Sequence, residues 1–153
     1  MKTVFKGILL YLHSKYRVEV MSSKFTPIPT GPHNERLEAY AEEKAVWMKS
    51  HKTQADVQLI SLFKDLDVDY IFKKIIYNRS SGGFIKNYYI VDFYLPKQKL
   101  IIETSYIGMG STEQFKRKDI SKMIPGVSFL QWRHDDFSSH VKVEQLKNQL
   151  KRQ

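Results

Sequence analysis

The chain contains no cysteine. That excludes disulfides, thiolate zinc sites and cysteine nucleophiles. It also lacks any apolar run long enough to span a membrane, so no membrane partner is expected. The apolar N-terminal stretch is broken by Lys6 and is followed by no small-residue cleavage site, so a cleaved leader is not expected and the cytoplasm is the default location. Proline is scarce, and three of the five prolines fall at Pro27, Pro29 and Pro32, beside Gly31. Such density marks a linker. The expected division is an N-terminal arm over residues 1–33, with near-helical apolar spacing at Val4, Ile8 and Leu12, and a main domain over 34–153. Acidic residues are outnumbered, 16 against 25 Lys and Arg, for a formal charge of +9. With aromatics at 13%, this balance points to a polyanionic partner, most often nucleic acid.

The 153 residues suit one compact domain beyond the arm. "NERLEAYAEEKAVWMKS" (34–50) predicts a helix capped by Asn34. "TQAD" at 53–56 has the form of a capping box opening a second helix, with Val57, Ile60, Leu62 and Phe63 on its apolar side. "YIFKKIIY" (70–77), "FIKNYYIVDFYL" (84–95) and "KLIIETSYI" (99–107) predict strands. A helix over 111–124, a strand over 127–133 and a closing helix come after them. The fold class expected is α/β in the broad sense, an α+β mixed sheet covered by helices.

Within those strands two carboxylates stand among apolar residues. If "PKQK" joins antiparallel strands with Leu95 opposite Leu100, Asp92 faces Glu103. Directly opposed side chains have Cβ atoms roughly 4.5–5.5 Å apart. Two ionised carboxylates at that separation repel, and a bound cation relieves them. Oxygen donors suit Mg²⁺. The ordinary alternative is that either acid is solvated at a sheet end or paired with one of the many lysines.

The ordered set "TQAD", "YIVDF", "LIIE", "QFKRKDISKMI" and "GVSFLQWR" resembles the PD-(D/E)XK nuclease superfamily, and most nearly its Vsr-like branch, related to phage junction-resolving and homing endonucleases. The resemblance covers about residues 53–150. It implies a restriction-endonuclease-like core, helix-β-β-β-helix-β, and a metal-dependent endonuclease (a hydrolase) acting on double-stranded or branched DNA. It implies Mg²⁺ or Mn²⁺ held by Asp92, Glu103, the Thr104 carbonyl and Asp56. It admits a homodimer, and a host-cell cytoplasm if the chain is phage-encoded. The family usually has lysine, or in some branches aspartate, two residues after the glutamate. Here Ser105 stands there, with Tyr106 and Met109 nearby, and Asp56 replaces a glutamate. Lys116, Lys118 or Lys86 could supply the missing cation, and Gln131 or His134 could assist catalysis. Phosphate contacts would come from Arg79, Lys86, Lys97, Lys99, Lys116, Arg117, Lys118 and Arg133. The departure at Ser105 keeps a second expectation open, a non-catalytic DNA-binding module on the same fold; a protein-interaction domain docking through its arm is a third.

Overall fold

The computed structural model describes residues 33–104 and 111–151. The chain divides into two compact units, residues 1–36 and 37–153, and the sheet with its covering helices belongs to the second. Residues 1–32 of the expected arm lie outside the described residues; His33, expected to end it, instead opens the first helix, which also puts Asn34 inside that helix rather than at its cap.

Helix α1 (His33–Ser50) is followed by α2 (Gln54–Asp65). The predicted capping box opens α2: Thr53 Oγ1 accepts from the Asp56 amide at 3.1 Å, and the Thr53 amide donates to Asp56 Oδ2 at 2.9 Å. The buried side of α2 is Ala55, Asp56, Leu59 and Phe63. Val57, expected on that side, is exposed, because the inward stripe runs through 55, 59 and 63.

Strands β1 (Ile71–Arg79), β2 (Ile85–Leu95) and β3 (Leu100–Glu103) form antiparallel neighbours, and β4 (Ser128–Gln131) adds parallel to β3. The architecture among the described residues is therefore α+β around a four-stranded mixed sheet. Helix α3 (Ser111–Met123) makes the β3–β4 crossover; after β4 a 3₁₀ turn (His134–Ser138) leads into α4 (His140–Lys151). Strand β3 is shorter than the sequence pattern suggests; residues 105–107 lie outside the described residues.

Two apolar clusters sandwich the sheet. On one side Phe93, Leu95, Leu100 and Ile102 pack with Leu59 and Phe63 of α2 and Leu146 and Leu150 of α4. On the other, Ile76, Val91 and Ile101 pack with Ile120 of α3. A regular strand sends alternate residues to one face. Here Val91 and Phe93 belong to opposite clusters, and so do Phe72 and Ile76. Both strands thus switch faces across one level of the sheet. At that level sits Lys73, whose φ of 51° is left-handed and rare for a residue with a side chain. The Cα pairings Phe72–Phe93 and Lys74–Val91 put Lys73 across from Asp92.

Candidate active site

The hairpin register is the one expected: Leu95 pairs with Leu100, Tyr94 with Ile101 and Phe93 with Ile102. One step further, the Asp92 amide donates to Glu103 Oε2 at 3.2 Å. Asp92 and Glu103 are both almost fully buried. Asp56 joins them from the first turn of α2, where the capping box fixes its carboxylate. Thr104, immediately after β3, ties Asp92 to Asp56. Its amide donates to Asp92 Oδ2 at 2.7 Å. Its hydroxyl lies 2.6 Å from Asp56 Oδ1 and 3.0 Å from Asp92 Oδ2. A hydroxyl carries one proton, so it donates to one acid at a time.

Two lysines balance the acids. Lys73 Nζ is 2.5 Å from Asp92 Oδ1 and 3.6 Å from Asp56 Oδ2, with its side chain 5% exposed. Lys116 Nζ, from α3, is 2.5 Å from Glu103 Oε1. Pairing with lysines, the ordinary alternative for these acids, is therefore realised in the structure. Burial still dominates at Glu103 and pushes its carboxyl up to about 7, with Lys116 opposing and Asp92 adding to the rise.

Among the described residues no group of three or more His, Asp or Glu side chains converges as a ready-made metal cage. The acid donors, Asp56, Asp92 and Glu103, are nonetheless all carboxylate oxygen. That chemistry fits a hard divalent cation. Such an ion would compete with Lys73 and Lys116 for the same oxygens.

The remaining predicted residues are distributed around this cluster. Gln131 is half-buried on β4, paired in register with Glu103. His134 is exposed, with Nδ1 2.8 Å from Gln58 Oε1. Arg79 is bound to Glu38, Lys97 to Asp69, and Arg117 to Glu113. Lys99 Nζ reaches the Pro125 carbonyl at 3.4 Å. Lys86, Lys118 and Arg133 are exposed. Ser105, Tyr106 and Met109 lie outside the described residues. Sequence reasoning missed Lys73. Its signal was the consecutive pair Lys73–Lys74 inside an otherwise apolar strand: adjacent strand residues face opposite ways, so one of the two had to turn toward the interior.

No family model, curated protein or solved structure matched the chain.

Proposed function

We propose that the chain is a metal-dependent DNA endonuclease with a restriction-endonuclease-like core, of the PD-(D/E)XK type. One observation carries the reading: two buried carboxylates, Asp56 and Asp92, meet at the Thr104 hydroxyl, buried Glu103 accepts from the Asp92 amide beside them, and Lys73 and Lys116 pair with the acids. Burying ion pairs is a poor way to gain stability, because desolvation offsets the attraction. Clusters of this kind gather where charge is used.

Asp92, Glu103, Asp56 and the Thr104 carbonyl would hold Mg²⁺ or Mn²⁺. When bound, the ion would lower the pKa of a coordinated water and neutralise charge on the scissile phosphate. The protein's own groups do the rest. Thr104 locks the Asp92 and Asp56 carboxylates in place. Lys73 and Lys116 bring the positive charge that Ser105 does not, so the cationic role passes to β1 and α3. Lys86 and Lys118 are exposed for phosphate contact; Arg79, Lys97 and Arg117 would have to leave acidic partners to join them, and exposed Arg133 is itself already engaged.

The test is incubation with supercoiled plasmid, branched junctions and mismatched duplexes in Mg²⁺, Mn²⁺ or EDTA. Cleavage is expected with metal only, and Asp92→Ala and Glu103→Ala should abolish it while sparing DNA binding. Failure to cut any of these substrates would overturn the proposal. A second reading, a non-catalytic DNA-binding module, is favoured by Lys73, which already satisfies Asp92 and Asp56 internally. It predicts DNA binding without cleavage and no effect of metal on the melting temperature.

A further inference from the structure

Beside the acidic cluster lies a recess of about 310 Å³ that the chemistry above does not use. It is lined by Lys44 and Met48 of α1, Tyr88, Tyr89 and Ile90 of β2, and Lys116 of α3. Lys116 is shared: the same ammonium binds Glu103, so the recess adjoins the acids directly. Its two tyrosines are held differently. Tyr89 is pinned, its hydroxyl donating to Asp119 at 2.8 Å and accepting from Asn87. Tyr88 is held by its ring, edge-on to Tyr40 at 6.4 Å between centroids and tilted against Tyr77 at 6.5 Å. The recess thus has one tyrosine supported by neighbouring rings, Tyr88, with Lys44 of α1 and Lys116 of α3 among its other lining residues. Lys44 is exposed, and Tyr40 is 45% exposed one turn before it on α1.

We propose that this recess binds one unpaired nucleotide of a DNA strand, its base against Tyr88 and its phosphate between Lys44 and Lys116. The occupant is set by the lining. Two cations fit an anionic group, an aromatic face accepts any base, and the volume sits at the small end of ligand clefts, too small for a paired duplex end. Adjacency through Lys116 would place the neighbouring phosphodiester next to Asp92 and Glu103. The inference rests on the proposed function for its choice of DNA, and it narrows the substrate to duplexes with an unpaired position, such as a bulge, flap or junction.

The test is fluorescence anisotropy in EDTA, with a labelled duplex carrying one unpaired nucleotide and its fully paired counterpart. Base–aromatic stacking predicts at least about a fivefold preference for the unpaired substrate. Tyr88→Ala should erase the preference and leave paired-duplex affinity unchanged, while Tyr88→Phe should retain it. Lys44→Ala, at an exposed site outside the acid cluster, should reduce the preference without altering the circular dichroism spectrum. Equal affinity for the two duplexes, or a preference that survives both Tyr88→Ala and Lys44→Ala, would overturn the inference. Because metal is absent, the outcome is separable from catalysis. A protein that prefers the bulge but never cuts keeps the recess and loses the nuclease; one that cuts without preference loses the recess alone. Absence of binding to either duplex overturns both.

Discussion

Glu103 makes the energetics of the acid cluster measurable. Its carboxyl ordinarily titrates at 4.5 and is pushed up to about 7 by burial. A carboxyl with a folded value above its unfolded one binds its proton more tightly in the native state, so stability falls as pH rises wherever that proton is released. The contribution is complete below pH 4.5 and is lost as pH climbs through 7. Urea titrations of the metal-free protein should therefore show a decline across that window, on the order of 3 kcal/mol. Glu103→Gln removes the titrating group and should flatten this part of the profile. Lys116 and Asp92 face the carboxyl directly, with Lys73 on the far side of Asp92. A wild-type profile parallel to that of the Gln variant would refute the assignment. Divalent cation added at pH 7 should stabilise the wild type more than the variant, if the acids take a metal.

At the level of elements, the junction between α1 and α2 couples folding to the site. Asp56 closes the capping box of α2 and also meets Thr104 and Lys73. One carboxylate thus serves the helix terminus and the acid cluster together. Thr53→Ala removes the side-chain acceptor for the Asp56 amide and should cost about 1 kcal/mol of stability, read by thermal or urea unfolding. Thr53→Ser keeps the acceptor and should recover most of the loss. Under the nuclease reading Thr53→Ala should also slow cleavage, although Thr53 itself is exposed, because Asp56 is less firmly held.

The capping box was legible because its residues are adjacent and their chemistry is local. The hairpin register was legible because a four-residue connection leaves few ways to pair Leu95 with Leu100. Asp92 and Glu103 announced themselves by interrupting apolar runs. Lys73 did not, because a strand with two lysines reads equally well with either one facing outward. Its left-handed φ and its contact with Asp92 depend on pairing with β2, which strand periodicity alone does not specify. The partnership of Lys116 with Glu103 likewise depends on where α3 settles after a crossover. The sequence supported only a choice among Lys116, Lys118 and Lys86.

For the molecule as a whole, the formal charge of +9 bears on association more than on folding. Several basic side chains are already engaged by acids, as Arg79 is by Glu38, Lys97 by Asp69 and Lys142 by Asp136. The number of phosphates contacted should therefore fall well short of the number of basic residues. Plotted as log K against log salt, duplex binding should be linear with a slope of about −0.9 per phosphate engaged. Replacing exposed Lys118 with Ala should make the slope shallower by about one unit if that residue touches the backbone. No change at Lys118 would move the contact surface elsewhere. Among the described residues no helix is long and apolar enough to cross a membrane, so the surface charge has no bilayer-spanning helix to flank there.

Strand β1 lies at the margin of the sheet, with β2 as its only strand neighbour among the described residues. It nevertheless delivers the ammonium that Asp92 and Asp56 share. Margins of sheets breathe more readily than their centres. Each outward excursion of β1 would withdraw the lysine and leave two anions facing one another without a counter-charge. Amide exchange along β1 and the ease with which a foreign cation enters the cluster should therefore rise and fall together.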